Sequence, residues 1–232
     1  MEVPLNSLQL RKGQPQMNEA QQRRPLKVVA LVPYAYDTAP GQRFRIEQWA
    51  RLINPEDAQF EFLPFETPRL NAILYQPGRY AEKALHILRG TALRVAQAFS
   101  SRGADVAYIL REAIPLGSVM IERLMGALGL PLVYDFDDAI YLPAVSSANQ
   151  AFRFLKSPGK TATLCAMSGH VTVASQFLSD FARRHTERVS IVPTTLDLRE
   201  YRLEPRPALG EPPVVGWSGS NTTLDYLLSL AP

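Results

Sequence analysis

The heptapeptide Leu26–Val32 (LKVVALV) constrains this chain more than any other stretch. A strand with one wet face carries a polar residue at every second position, whereas a nearly unbroken apolar run suits a central parallel strand covered on both faces. Further runs at 59–65, 105–110, 132–135, 170–174 and 188–192 predict more strands. Between them, 42–53, 79–101, 117–128 and 175–184 predict helices, and a mixed, partly helical stretch follows the 132–135 strand up to Ser168. Gly103 and Gly129 suit helix C-termini and Ser175 suits an N-cap. Strands alternating with helices specify an α/β fold built on a doubly wound parallel sheet, whose ligands sit beyond the carboxyl ends of the strands.

Composition narrows the function classes. The 232 residues are enough for one generous domain, with a core drawn from the 46% of hydrophobic residues. The formal charge of +3 is concentrated at the start, where Arg11, Lys12, Arg23 and Arg24 outnumber Glu2 and Glu19. The body is therefore near neutral, and we expect no nucleic-acid partner. No apolar run reaches the ~20 residues of a bilayer span, and no apolar core of a signal peptide opens the chain. The lone Cys165, flanked by Leu164, Ala166 and Met167, is expected to be a buried, inert thiol. A cytoplasmic location, with or without peripheral membrane contact, is the expectation. His86, His170 and His185 are assigned no catalytic role.

The expected organisation is a disordered leader at 1–25, rich in Gln, Asn and Arg, then one α/β domain over 26–200. A stiff linker follows at 201–213, holding Pro205, Pro207, Pro212 and Pro213. Residues 214–232 read as a further strand (214–217), a tight turn and a helix start at Thr222, the opening of a second α/β unit whose apolar helix face would lack partners. The long helix at 79–101 carries Leu85, Leu88, Ala92, Val95 and Phe99 on one face, with Arg79, Lys83, His86, Arg89 and Arg94 on the rest. Two readings stand: the apolar face is buried in the domain, or it meets a membrane.

Three loops at strand ends carry the candidate chemistry. After the first strand, Gly41, Gln42, Arg43 and Arg45 sit at a helix start, where glycine permits close backbone approach and cations call for an anion or a carboxylate nearby. A surface ion pair of these arginines with Asp37 or Glu47 is the alternative. Arg111 and Glu112 follow the 105–110 strand, as a hydroxyl- or phosphate-reading pair or as a structural ion pair. Asp135, Asp137 and Asp138 form an acidic cluster, with strand alternation placing the first two on one side. Such crowding requires a cation, arginines or a raised pKa. A nucleophile-and-acid pair like that of haloacid-dehalogenase phosphatases, a metal-chelating Asp-x-Asp, and carboxylates that bind sugar hydroxyls or pair with Arg43, Arg45 or Arg111 are three uses for it. The third fits best, because Asp138-Ala139 stands where the phosphatase signature has small Gly/Thr residues; no metal site is expected.

The order of Gly41–Arg45, Tyr134–Tyr141 (YDFDDAIY), Val171–Leu178, Ile191–Asp197 and Val215–Thr223 resembles the acceptor-side half of a GT-B glycosyltransferase of the family 4 type. The resemblance covers residues 26–232. It implies a Rossmann-like acceptor domain followed by the start of a nucleotide-sugar-binding domain, with Gly219 and Ser220 as a remnant of its donor loop. It further implies sugar transfer from a nucleotide sugar to a glycan or lipid-linked acceptor, as in polysaccharide or cell-envelope synthesis. No cofactor is implied beyond that co-substrate, which requires a complete C-terminal domain. Two departures accompany it: Arg111-Glu112 stands where many relatives have a His-Glu type pair, and the paired glutamates that hold the donor are missing. The resemblance therefore implies a truncated enzyme, inactive alone. A non-catalytic glycan-, lipid- or partner-binding domain is the alternative.

Overall fold

A computed structural model describes residues 24–74, 76, 78–142, 159–201, 216 and 228–229. The leader up to residue 23, the 202–213 linker and nearly all of the 214–232 segment, with Gly219 and Ser220, lie outside the described residues. Six strands form one sheet: β1 (Leu26–Val32), β2 (Ala58–Pro64), β3 (Val106–Leu110), β4 (Leu132–Phe136), β5 (His170–Val173) and β6 (Val189–Ile191). They are all parallel, in the order β2-β1-β3-β4-β5-β6. The doubly wound, Rossmann-like α/β fold expected from the strand pattern is present.

The strand order dictates where the helices go. The chain steps outward from β1 to β2, then reverses and builds every later strand on the other side of β1. Right-handed crossovers then place the first helical segment on one face and the later helices on the opposite one. The first segment is α1 (Pro40–Gln42), a π-helical turn (Arg43–Glu47) and α2 (Gln48–Leu52) in succession. Its Ile46 meets Ala30, Val32 and Leu110 in a small core. The other face holds the main core, where Val29, Leu31, Ile109, Tyr134, Phe136 and Val171 meet residues of the later helices. These are α3 (Pro68–Leu74), α4 (Tyr80–Ser100), α5 (Met120–Ala127), α6 (Gly159–Met167) and α7 (Gln176–Ala182). Adjacent residues of β1 thus feed opposite cores, which is why its sequence has no polar alternation. Each such buried aliphatic side chain contributes about 1.5–3 kcal/mol.

Local signals account for most element ends. Ser175 Oγ accepts from Leu178 N at 3.4 Å, as its N-cap position predicts. Gly129 adopts φ 87° just past α5. Helix α3 was not expected, although Thr67-Pro68 is a capping signature: Thr67 Oγ1 accepts from Leu70 N at 3.2 Å and proline opens the helix. Arg24, inside the expected leader, bonds Asp105 through both terminal guanidinium nitrogens. Cys165 is fully buried, and burial pushes its thiol up to about 12.

Burial of the α4 apolar face, one of the two sequence readings, is overturned. Lys83 and Arg94 are each 1% exposed, whereas Leu85, Leu88 and Phe99 lie on the surface. The cause is at Gly90, where a Cβ would stand 2.8 Å from the Phe65 ring. The missing side chain lets the helix approach the sheet on that stripe. The stems of Lys83 and Arg94 fill the flanks while their heads reach backbone carbonyls. Among the described residues no helix is long and apolar enough to cross a membrane.

Candidate functional site

The strand order reverses between β1 and β3, and the crevice outside their carboxyl ends is the expected ligand position of such a sheet. The loops after β1, β3 and β4 meet there. The β1 loop is built by residues the sequence had offered as ligand contacts. Gln42, 2% exposed, accepts from Tyr34 N at 3.0 Å and donates to Tyr34 O at 2.9 Å. It also donates to Glu47 Oε1 at 2.6 Å, and the second Glu47 oxygen accepts from Asp37 N at 2.9 Å. Together these bonds hold Asp37 at φ 61°, a left-handed conformation with a cost for a non-glycine residue. Gln42 is therefore a lock on the loop and does not line the crevice. Arg43 closes the same loop, with Nη2 donating to Asp37 O at 2.9 Å and Nε 2.5 Å from the Asp37 carboxylate. The surface-pair reading of Arg43 is the one the structure adopts.

Asp135 and Asp137 both turn toward this helical segment but find different arginines. Asp135 is fully buried and receives Arg45 through two parallel hydrogen bonds, Nε to Oδ2 at 3.1 Å and Nη2 to Oδ1. Arg45 Nη1 also bonds Val192 O at the end of β6, and Thr172 Oγ1 donates to Asp135 Oδ1 at 2.6 Å. Burial pulls the Arg45 pKa down, but the hydrogen bonds and charge of Asp135 outweigh it and hold the guanidinium above its ordinary value. Of the readings offered for these side chains, pairing is the one the structure adopts: 1% and 0% exposed, they tie the helical segment after β1 to β4 and to Val192 past β6 and lie below the surface of the crevice.

Arg111 and Asp137 form the accessible pair. Arg111 Nε and Nη2 donate to Asp137 Oδ1 and Oδ2 at 2.9 and 3.1 Å, and the side chains keep 27% and 12% of their surface exposed. Burial lowers the Arg111 pKa, but the Asp137 hydrogen bonds and charge, joined by the charge of Asp138, outweigh it and leave it above the ordinary value. Gly41 lies directly against the pair, for a Cβ there would stand 3.3 Å from both Arg111 Nη2 and Asp137 Oδ2. Arg111 itself takes φ 62°, strained for a non-glycine residue at a strand end. Asp138 remains on the loop, its Oδ1 accepting from Ala139 N at 2.9 Å. Two arginines thus take up two of the three carboxylates. Among the described residues no group of three or more His, Cys, Asp and Glu side chains is placed to hold a metal ion.

Arg111 and Glu112 do not form an ion pair with each other. Glu112 meets Lys160 at 3.1 Å, and Lys160 Nζ also donates to Ile114 O and Leu116 O at 2.6 and 2.7 Å. Arg94 Nε donates to Ala113 O at 2.9 Å, while its two terminal nitrogens bond Leu63 O and Val32 O, the ends of β2 and β1. Buried Glu122 accepts from Ala113 N at 3.1 Å. Three buried charges from α4, α5 and α6 therefore clamp the loop that carries Arg111. Burial lowers the Arg94 pKa to about 10 and raises that of Glu122, in spite of Lys160 nearby. The sequence reading missed Lys160 and Glu122, for which the available signal was a lone charge on an otherwise apolar helix stripe, and it counted Arg94 on the basic face of its helix, where nothing local marks it out. It also missed Glu66 at the end of β2, whose carboxyl burial raises to about 7 against the hydrogen bond from Asn71.

No protein-family model matches the chain, and no curated protein matches it significantly.

Proposed function

We propose that this domain is the acceptor-side half of a nucleotide-sugar-dependent glycosyltransferase, and that the Arg111–Asp137 pair binds sugar hydroxyls of the acceptor. The observation that carries the reading is the chemistry of that pair. A planar guanidinium beside a carboxylate presents donors and acceptors side by side, which matches vicinal hydroxyls, each of which both donates and accepts. A phosphate would meet the Asp137 charge at the same place. The left-handed Arg111 backbone and the close approach of Gly41 hold the pair rigidly, as positioning of a reactant requires. Asp138 and Glu112, one residue along each loop, extend the polar rim. The order of the sequence motifs adds support of a different kind, through resemblance alone.

Ligand-observed NMR on the 232-residue chain with a panel of neutral hexoses, hexuronates and short glycans tests the proposal. We expect millimolar binding of at least one saccharide, lost in Arg111→Gln and in Asp137→Asn while the fold is retained. Binding that survives both substitutions, or a panel without a binder, overturns it.

A further inference from the structure

Helix α4 turns outward a stripe that no other described residue covers. Ala81, Leu85, Leu88, Ala92, Ala96 and Phe99 recur at three- and four-residue intervals and all are exposed, Leu88 by 67%. Leu93, 55% exposed, borders the stripe. Basic charges predominate around it. Arg69 on α3, Arg79 and Arg102 at the two ends of α4, Arg89 on it and Arg123 on α5 are exposed, and the Arg102 guanidinium lies 4.9 Å from the Phe99 ring centre. Helices α3, α4 and α5 contain two carboxylates, Glu82 and Glu122. The first is held by Arg69 and Arg79, and the second is buried.

We propose that this outer layer docks onto an anionic lipid surface, with α4 lying flat in the interface. An apolar stripe flanked by arginines in excess of carboxylates, five against the single exposed-side Glu82, is the composition that such a surface binds, through apolar burial and attraction to acidic headgroups together. Charge complementarity excludes the competing occupant, a second copy. A two-fold pairing of α4 about Leu88–Ala92 sets Arg89 beside its own counterpart and adds the remaining arginines of both layers, with only Glu82, already held by Arg69 and Arg79, to meet them. The inference is independent of the sugar reading, since it uses none of the crevice residues.

Co-sedimentation of the full 232-residue chain with vesicles tests it. Partition onto phosphatidylcholine–phosphatidylglycerol vesicles should exceed that onto phosphatidylcholine alone by about tenfold or more, each basic residue near the surface adding up to about fivefold. Leu88→Glu and, separately, Arg89→Glu should reduce it by about fivefold or more with unchanged circular dichroism, because both side chains are exposed. Leu198→Glu, 66% exposed elsewhere, should bind as the parent does. Equal partition onto both vesicle types, insensitivity to Leu88→Glu and Arg89→Glu, or a dimer that Leu88→Glu dissociates without any vesicle binding would each overturn the proposal.

Discussion

Arg45 and Asp135, ninety residues apart in the chain, form a two-pronged ion pair whose side chains are almost wholly buried. The pair joins the π-helical turn after β1 to the end of β4, and its third bond reaches Val192 beyond β6. Such single π turns inside helices are rare and are found frequently at functional sites. Removing one member leaves a buried charge, so Arg45→Met and Asp135→Asn should each cost about 3–5 kcal/mol in urea denaturation. The double variant should cost less than the sum by about 2 kcal/mol or more. Strict additivity would show that the two side chains act separately.

Gly90 sets two effects against each other. Alanine gains about 1 kcal/mol of helix propensity over glycine. Its Cβ, however, meets the buried Phe65 ring at 2.8 and 2.9 Å, and overpacking of this kind costs about 1–3 kcal/mol. Gly90→Ala should therefore destabilise. A rise in melting temperature would mean that the ring moves freely and that the close approach of α4 is not set here.

Arg111 offers a backbone test. Arg111→Ala loses the Asp137 pair and keeps the left-handed conformation, whereas Arg111→Gly loses the pair and relieves the strain. The glycine variant should be the more stable of the two by about 1 kcal/mol. That reverses the usual order of alanine over glycine, and denaturant midpoints measured side by side would reveal it.

Glu66 makes stability depend on pH. Its folded pKa is raised from 4.5 to about 7, so the folded state favours the neutral carboxyl. The contribution is fully present below about pH 4.5 and is lost as the pH rises through about 7. Glu66→Gln should remove this dependence and stabilise the protein near pH 8 by on the order of 1–2 kcal/mol. Parallel pH–stability curves for parent and variant would count against it.

The sequence alone determined the six strands, the connecting helices other than α3 and a distinct α6, and the end of the sheet at which ligands are expected. Buried parallel strands must be apolar on both faces, and helix ends must satisfy their own backbone groups through residues such as Ser175. It also placed Arg111 and Asp137 at the mouth, since both follow predicted strands. Tertiary structure decided the rest. Which aspartate meets which arginine depends on registers fixed across the sheet, so that Asp135 is enclosed with Arg45 while Asp137 stays at the surface with Arg111. Which stripe of α4 turns inward was decided against its hydrophobic pattern. Gly90 admits Phe65, and Lys83 and Arg94 find carbonyls at Gln76, Val32, Leu63 and Ala113 that nothing local to the helix announces. Periodicity records how apolar a face is, but a charged side chain can be buried wherever distant backbone groups satisfy it, and only the assembled fold brings those groups together.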